Sequence, residues 1–377
     1  MKNRWTAGVV VVLLCVVAVV IAVRSRQPRG VQIGAVLPLT GDLAIYGQKM
    51  KQGIDLAIGQ ANAQGGVGSR PVQVDLEDDQ GDPKTSIAAT QKLIAVNGVK
   101  VIIGGAISAT ALPCIPIIDR SHVVLFSPAA TSPKLSGASK YFFRNWPSDT
   151  YDGTAMGEFA AKSLHLKEAA VLYVNNEWGV AISKIFTDTF QANGGRVTIT
   201  ESYEPNATDF RTQLTKIAVR RPGATYTPGY LKELITILRQ KQELRINATI
   251  LGAYGFYDPQ ILQQARGAAE GAIFTAPAYD PDSQDPAVRD FSGAFQKEHG
   301  SKPDIWAAQA YDAARIVLSA LRTGASTGPE IRNVIANIKG FDGVSGRTSF
   351  DAEGDVQKPL RFLTVRGGQF MNYAPEK

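Results

Sequence analysis

Hydroxyl-bearing and small residues follow two neighbouring apolar segments in the first third of the chain. Val99–Gly104 runs into Gly105-Ala106-Ile107-Ser108-Ala109-Thr110, and Val123–Phe126 runs into Ser127-Pro128-Ala129-Ala130-Thr131. If both apolar segments are buried parallel strands, these loops meet beyond the carboxyl ends of the sheet, where open α/β folds bind ligands. Hydroxyls and free backbone N–H groups placed there can hold a carboxylate or another small anion. No nucleophile–base pair accompanies them in this stretch, so the pattern predicts binding without chemical change.

The elements that must position these loops alternate regularly. The pattern predicts a strand at Val31–Leu37, a helix from about Ile45 to Ala63, a strand from Val72, and a helix opened by Asp82-Pro83. A second series follows Asp149, which we expect to cap a helix through Ser163. Its strands are expected at Ala169–Val174, Val197–Tyr203, Ala224–Thr227, Thr249–Leu251 and Ala272–Thr275. Such alternation predicts an α/β fold with two doubly wound parallel sheets.

After Pro277 the pattern changes to three successive helices, at about Asp285–His299, Ile305–Arg322 and Pro329–Ile338. Three helices alone cannot bury their apolar faces as a separate domain, so we expect them to pack on the first lobe. Gly343–Phe350 and Leu360–Val365 are then predicted to pair as two short strands. A chain of 377 residues exceeds one ordinary core, which also favours two lobes.

The N-terminus carries 17 uninterrupted apolar residues, Ala7–Val23, preceded by Lys2 and Arg4. This segment indicates a cleaved export signal or a retained membrane anchor, and its length is near the lower limit for spanning a bilayer. Lipid attachment at Cys15 is less favoured, because bulky Leu14 precedes it. In either case we expect the folded part to work in the periplasm or on the extracytoplasmic face of the membrane.

The formal net charge of +6 is concentrated at the same end of the chain. Five basic residues precede residue 31 with no acidic partner, so the remainder carries a net charge near zero; they are Lys2, Arg4, Arg24, Arg26 and Arg29. A nearly neutral folded part gives no support to nucleic-acid binding.

Cysteine and histidine usage gives no sign of a metal or redox centre. Only Cys114 follows the N-terminal segment, so no intramolecular disulfide is expected, and we expect Cys114 to be a small buried residue at a helix start. The scattered His122, His165 and His299 lack the spacing of metal ligands. We therefore predict neither a metal nor a cofactor, and no enzymatic activity.

Seven short segments occur along the chain in a characteristic order: Ile33–Gln48, Ala61–Val74, Glu77–Pro83, Ile102–Thr110, Leu125–Pro133, Phe142–Asp149 and Phe350–Asp355. From Val31 to about Phe370 the chain thereby resembles the type I periplasmic binding proteins, especially the leucine/isoleucine/valine-binding receptors of ABC importers. The resemblance implies two α/β lobes joined by three crossovers, with the ligand trapped when the lobes close.

The implied division assigns residues 1–30 to the signal or anchor, 31–148 with 278–344 to lobe I, and 149–277 with 345–377 to lobe II. Closure is expected as a hinge motion near Ser148, Pro277 and Gly343.

The resemblance also implies a ligand site. Ser108 matches a serine that binds the ligand carboxylate, and Ala130 and Thr131 match the loop that shares this task. Tyr46 matches an aromatic residue at the cleft edge, while Tyr230 and Trp178 match tyrosines of the second lobe. On this basis we expect Ser108→Ala with Thr131→Val to remove most carboxylate affinity and to leave the thermal midpoint nearly unchanged.

The sequence departs from the family pattern in two respects. Tyr254 stands where amino-acid receptors present a glutamate to the ligand's ammonium group, and a phenol is a poorer partner for a buried ammonium. This favours an aromatic or aliphatic acid, or an amide, over an α-amino acid. Gly81 and Ile107 stand where some relatives carry a cysteine pair, and both cysteines are missing together.

The predicted function is therefore that of an extracytoplasmic substrate-binding protein, which delivers an amino acid or related small carboxylate or amide to an ABC permease. The alternative is a membrane-anchored ligand-sensing ectodomain tethered through residues 7–23, with no nucleic-acid partner in either case.

Overall fold

The computed structural model describes residues 30–277 and 279–374. The predicted signal or anchor at residues 7–23 lies outside the described residues. Within the two described ranges, no helix is both long enough and apolar enough to cross a membrane.

Two sheets organise the chain. The first has the strand order β2-β1-β3-β4-β5, and all of its pairings are parallel. The second has the order β12-β11-β10-β9-β8-β6-β7 and is parallel except at β11, which runs antiparallel to β10 and β12. The strands are β1 (Val31–Leu37), β2 (Val72–Asp78), β3 (Val101–Gly104), β4 (Val124–Ser127), β5 (Phe142–Arg144), β6 (Glu168–Val174), β7 (Arg196–Tyr203), β8 (Ala224–Tyr226), β9 (Thr249–Gly252), β10 (Ile273–Pro277), β11 (Leu360–Arg366) and β12 (Gln369–Asn372).

Helices connect the parallel strands and cover the faces of both sheets. They are α1 (Ala44–Ala63), α2 (Pro83–Ala95), α3 (Ser108–Ala111), α4 (Ile115–Ser121), α5 (Asp149–Glu158), α6 (Glu177–Ala192), α7 (Arg211–Arg220), α8 (Leu231–Glu243), α9 (Pro259–Gln264), α10 (Pro286–His299), α11 (Ile305–Arg322) and α12 (Gly328–Ala336). The predicted α/β fold with two doubly wound parallel sheets is confirmed.

Local signals explain most helix boundaries. The Asp82 carboxylate accepts a hydrogen bond from Thr85 N at 2.8 Å, and Pro83 opens α2, as the sequence predicts. The predicted cap at Asp149 is wrong, because the Ser148 hydroxyl accepts from Thr150 N and Asp149 is the first residue of α5. The Asp149 side chain is therefore free to turn towards the cleft between the lobes.

The three late helices pack on the first lobe, as expected. Helix α11 lies along α1 and contacts β3 and β4, while α12 contacts β4. Gly53 makes the α1–α11 contact possible, since a Cβ atom there would lie only 2.2 Å from the Ala307 carbonyl oxygen. The first lobe thus receives its outer helices from a part of the chain that comes after the second lobe.

The predicted pairing of Gly343–Phe350 with Leu360–Val365 is wrong. The first segment forms only isolated bridges, between Phe341 and Thr348 and between Phe350 and Val356. Strand β11 pairs instead with β10 and β12. The free edge of β10 offers a full ladder of backbone groups to β11, which the short Gly343–Phe350 segment cannot match. Strand β5 was not predicted, because three residues are too few to show a periodicity.

The segment after the expected lobe boundary at residue 344 still contacts the first lobe. Phe350 packs edge-on against Phe126 and Phe143 of the first lobe, at ring-centre distances of 5.8 and 5.4 Å. The buried Arg144 guanidinium donates to both carboxylate oxygens of Asp355, each at 2.6 Å. These contacts hold the third connection on the first lobe as far as Asp355, so the return to the second sheet occurs only shortly before β11.

Candidate functional site

A cavity lies between the two lobes, where the carboxyl ends of the strands and the beginnings of several helices meet. Its lining residues are Pro38, Tyr46, Met50, Ala106, Ile107, Ser108, Ala129, Trp178, Tyr230, Tyr254 and Trp306. No side chain among them carries a formal charge. The cavity volume of about 20 Å³ is room for one or two waters, so a larger ligand enters only when the lobes and the lining side chains move apart. The lobes are therefore in close contact around it.

Five of the lining side chains form a closed circuit of aromatic rings. Around the circuit, the ring centres are 6.2 Å apart for Tyr46–Tyr230, 5.2 Å for Tyr230–Trp178, 5.4 Å for Trp178–Tyr254, 6.0 Å for Tyr254–Trp306 and 4.7 Å for Trp306–Tyr46. We call these five residues the aromatic cage. Tyr46 and Trp306 belong to the first lobe and the other three to the second, so the circuit is complete only when the lobes meet.

Helix starts position most of the cage. Trp178 is the second residue of α6, whose cap Asn176 accepts from Gly179 N at 2.8 Å. The Asn176 amide also donates to the Tyr230 hydroxyl at 3.1 Å, which fixes the two rings relative to each other. Trp306 is the second residue of α11, and the cap Asp304 accepts from Ala307 N at 2.9 Å. The rings therefore stand on rigid elements.

Two glycines bring Tyr230 and Tyr254 together on the second lobe. A Cβ atom at Gly255 would lie 2.3 Å from the Gly229 carbonyl oxygen, and one at Gly229 would lie 2.3 Å from the Tyr203 hydroxyl. Any larger residue at either position would push the turn that carries Tyr254 away from the loop that carries Tyr230.

Ser108 supplies the hydroxyl of the cavity. As the first residue of α3, it accepts hydrogen bonds from Thr131 N at 3.3 Å and from Ser132 N at 3.0 Å. Both bonds use the oxygen as acceptor, so the hydroxyl proton remains available to donate to a ligand. The two backbone donors also polarise the hydroxyl and strengthen it as a donor.

The structure places the neighbouring loop differently from the sequence-based expectation. Ala130 N donates to the Ser127 hydroxyl at 2.9 Å, and Ala129 lines the cavity instead of Ala130. Thr131 also lies outside the lining, because its hydroxyl is bound on both sides. It donates to Asp149 Oδ2 at 2.9 Å and lies 2.9 Å from the Tyr254 hydroxyl. The other five predicted residues, Tyr46, Ser108, Trp178, Tyr230 and Tyr254, line one cavity.

Asp149 lies immediately behind the cage. Its Oδ1 atom accepts from Trp178 Nε1 at 3.3 Å, while Oδ2 accepts from Thr131. Burial, together with the nearby charge of Asp152, raises the pKa of Asp149 to about 8. Burial likewise raises the pKa of Asp152 to about 7. Asp149 was not predicted as a site residue, because the sequence pattern favours a helix cap at this position.

Several contacts cross between the lobes around the cavity. Leu231 N, at the start of α8, donates to the Tyr46 hydroxyl at 2.8 Å. At the exposed rim, Lys134 pairs with Glu177 at 2.7 Å, and Lys232 pairs with Asp42. The two lobes thus meet through aromatic, hydrogen-bonded and ionic contacts on different sides of one cleft.

Comparison with known proteins agrees with this architecture. The profile of the periplasmic binding protein family matches residues 30–369, which is most of the chain. The chain belongs to this family. The resemblance found in the sequence is therefore confirmed, and the two-lobed fold is that of a periplasmic binding protein.

Individual relatives place the chain near the branched-chain amino-acid receptors. It is 27% identical over 329 residues to the leucine-, isoleucine-, valine-, threonine- and alanine-binding protein of Pseudomonas aeruginosa, covering 87% of each chain. The structure of the LivJ substrate-binding protein of Streptococcus pneumoniae, in complex with isoleucine, is 27% identical with a TM-score of 0.84 over 91% of this chain and 98% of that one. A solute-binding protein of Rhodopseudomonas palustris, in complex with 3,4-dihydroxybenzoic acid, is 23% identical and has the same fold. Its TM-score is 0.82 over 90% of this chain and 95% of that chain.

Two tryptophans of this periplasmic binding protein were missed in the sequence. Trp306 belongs to the cage, and the buried Trp146 backs it, with ring centres 4.8 Å from Tyr254 and 4.9 Å from Trp306. Asp304 indicates a helix start just before Trp306, but nothing in the sequence shows that this helix start faces the cleft. Only the packing of α11 on α1 brings Trp306 to the site.

Proposed function

We propose that this protein is the extracytoplasmic substrate-binding protein of an ABC importer, and that it closes on a small carboxylate or amide without a primary ammonium group. The observation that carries the proposal is the cavity between the lobes, whose lining combines the Ser108 hydroxyl with five aromatic side chains and no formal charge. A hydroxyl donor suits a carboxylate or carbonyl oxygen, and aromatic walls suit an apolar remainder.

The lining argues against an α-amino acid. A primary ammonium group brings three N–H donors, and burying them without acceptors is costly. The nearest carboxyl group, Asp149, is behind Trp178, and its two oxygens already accept from Trp178 and Thr131. Tyr254 stands at the position that the family resemblance assigns to the glutamate of amino-acid receptors. The fold itself does not decide the ligand, since related folds hold isoleucine in one structure and a hydroxylated benzoic acid in another.

Closure follows from the division of the site between the lobes. A ligand on Ser108 and Trp306 contacts the first lobe, and its contacts with Trp178, Tyr230 and Tyr254 belong to the second. Only a ligand that touches both sides favours the closed arrangement over the open one, because a shift of equilibrium requires differential affinity. The closed form is then the signal that a permease can recognise.

A panel of matched ligands tests the proposal. We expect 4-methylpentanoate, benzoate or their amides to raise the thermal midpoint of the full chain, because a ligand that binds only the native state stabilises it by mass action. Leucine, which is 4-methylpentanoate with an added amino group, is expected to have no effect. A midpoint that rises with leucine and with none of the acids or amides would reject the proposal.

A substitution in the cavity sharpens this test. Tyr254→Glu introduces the carboxylate that a primary ammonium group needs, so we expect it to gain leucine binding and to lose affinity for the acids by charge repulsion. Tyr254→Gln is the matched control, since it has nearly the same shape without the charge. Equal behaviour of the two variants towards leucine would show that charge at this position does not select the ligand.

The apolar segment Ala7–Val23 supports a second candidate, a membrane-anchored ligand-sensing ectodomain with the same binding site. N-terminal sequencing and membrane fractionation of the exported protein separate the two. A chain that begins shortly after Ala22 and fractionates with the periplasm favours the soluble receptor. An intact N-terminus in the membrane fraction, together with normal uptake when a neighbouring permease is deleted, favours the sensor.

A further inference from the structure

We propose that the ligand is a betaine-type zwitterion, in which a quaternary ammonium group occupies the aromatic cage and a carboxylate faces Ser108. The inference rests on the proposed function, because it names the class of small carboxylate that the same site takes. It depends on three features of the cage: the arrangement of its rings, the hydrogen bonds that its phenols already make, and the carboxyl groups near it.

The rings of the cage contact the cavity from several sides, and no two neighbouring rings form a pair of parallel walls. Neighbouring rings around the circuit are tilted to each other by 32° to 68°, and none of these pairs is stacked in parallel. A flat aromatic ligand is bound best between parallel walls, whereas tilted rings on all sides enclose a compact, rounded group. Aromatic boxes of this kind attract quaternary ammonium groups through the negative faces of the rings.

The polar groups of the cage point to the same class of cation. The hydroxyls of Tyr46, Tyr230 and Tyr254 are each engaged by another residue, namely Leu231 N, the Asn176 amide and the Thr131 hydroxyl. A primary ammonium group needs several acceptors, and the Tyr46 and Tyr230 oxygens already accept from Leu231 N and Asn176. A quaternary ammonium group has no N–H donors, so it loses nothing in such surroundings.

Carboxyl groups near the cage favour a cation over a neutral group of equal size when they are ionised, and a bound cation lowers the pKa of Asp149 towards ionisation. Asp149 contacts the Trp178 indole from behind, and Glu233 lies near Tyr230 and Tyr46. After burial, the Asp149 carboxylate is the next cause that raises the pKa of Tyr254, so Asp149 in its ionised form places a negative charge near that phenol. Arg144 is the basic residue whose charge lowers the pKa of Asp149. Its guanidinium already pairs with the Asp355 carboxylate through two hydrogen bonds.

The anionic end of the ligand has its own partner in the same cavity. Ser108 lies on the first lobe with an available hydroxyl proton, held in place by Thr131 N and Ser132 N. A molecule with a carboxylate at one end and a methylated cation at the other therefore matches a donor at one wall and aromatic rings around the remainder.

The decisive experiment compares two ligands that differ by one atom type. Trimethylglycine and 3,3-dimethylbutanoate have the same shape and the same carboxylate, but the first has N⁺ where the second has carbon. Calorimetric titration of the full chain in mild detergent is expected to give trimethylglycine an affinity at least about tenfold higher, which corresponds to a cation–π contribution near the upper part of its usual range.

Variants of Trp306 assign the difference to the cage. Trp306→Phe keeps an aromatic ring and is expected to weaken trimethylglycine binding only a few-fold. Trp306→Leu keeps an apolar side chain without a ring and is expected to weaken trimethylglycine binding about tenfold. The affinity for 3,3-dimethylbutanoate is expected to change by less than about threefold. The thermal midpoints of the ligand-free variants serve as folding controls.

The outcomes separate this inference from the proposed function. If 3,3-dimethylbutanoate or benzoate binds as tightly as trimethylglycine, the quaternary ammonium inference is overturned and the carboxylate receptor stands. If leucine binds and no carboxylate or amide without a primary ammonium group does, both are overturned. A clear preference for trimethylglycine that Trp306→Leu removes and Trp306→Phe retains supports both.

Discussion

The hydroxyl oxygens of Thr131 and Tyr254 lie 2.9 Å apart, although Thr131 belongs to the first lobe and Tyr254 to the second. Either hydroxyl can be the donor in this contact, and the Thr131 hydroxyl also lies 2.9 Å from Asp149 Oδ2. The bond is buried and cannot form when the lobes separate. It is therefore a direct energetic link between lobe closure and the position of one wall of the cage.

A double-mutant cycle measures this link. Thr131→Val and Tyr254→Phe each remove one partner, and we expect a coupling energy of about 1 kcal/mol in the free energy of unfolding. The control cycle replaces Tyr254→Phe with Tyr203→Phe, since the buried Tyr203 hydroxyl has no hydrogen-bond partner among the described residues. Additive effects in both cycles would show that the 2.9 Å contact makes no contribution to stability.

Ser108→Ala is expected to lower stability as well as ligand affinity. The substitution leaves Thr131 N and Ser132 N buried without their acceptor, at a cost of about 1–3 kcal/mol. This prediction differs from the expectation from the sequence that the thermal midpoint stays nearly unchanged. Ser183→Ala is the matched control, because the Ser183 hydroxyl is buried without a partner in the described structure, and its removal is expected to be nearly neutral. Equal midpoints for the two variants would contradict the role of Ser108 in holding the loop.

Stability is expected to fall as the pH rises through neutrality. Burial raises the pKa of Asp152 to about 7, and burial with the charge of Asp152 raises that of Asp149 to about 8. Between about pH 4 and the raised pKa values, the native state therefore binds more protons than the unfolded state. For each such proton, the free energy of unfolding falls by about 1.4 kcal/mol with every unit of rise in pH. This stability is fully present in acid and is lost as the pH approaches the raised pKa values.

Asp152→Asn tests this dependence by chemical denaturation between about pH 5 and about pH 8, and it should flatten the profile because the amide does not titrate. Glu330→Gln is the control with the opposite sign. Backbone hydrogen bonds from Ser326 and Thr327 lower the pKa of Glu330 to about 2, so its contribution is lost only in acid. A wild-type profile that is flat or rising over the same interval would contradict a raised pKa at Asp152.

The two ion pairs at the rim are expected to slow the opening of the closed form. Lys134→Met with Lys232→Met removes the pairs with Glu177 and Asp42. Exposed pairs contribute up to about 1 kcal/mol each, so ligand dissociation should accelerate by at most about thirtyfold in total at low salt, and the effect should vanish at high salt. Stopped-flow displacement measures the rate. Lys184→Met is the matched control, since its pair with Asp188 lies within α6. If only Lys184→Met accelerated ligand dissociation, the two ion pairs at the rim would have no part in holding the closed form.

Local patterns in the amino-acid sequence are enough to predict the two-sheet α/β fold and most of its elements, because strands and helices of ordinary length carry their own periodicity and caps. Asp82-Pro83 illustrates this, as both the cap and the first-turn proline are local signals. The order of the family segments also gave Ser108, Tyr46, Trp178, Tyr230 and Tyr254 as residues of one site, and the structure brings these five to one cavity.

The hydrogen-bond partners of these residues become visible only in the folded chain. A pattern of residues does not show that Thr131 is bound between Asp149 and Tyr254, that Ala130 N is taken by Ser127, or that Trp306 reaches the cleft from a helix almost 200 residues after Ser108. Contacts between distant segments depend on how the two lobes pack. The carboxyl ends of strands predict where a ligand binds, and the packing of the rings around that place decides which ligand fits.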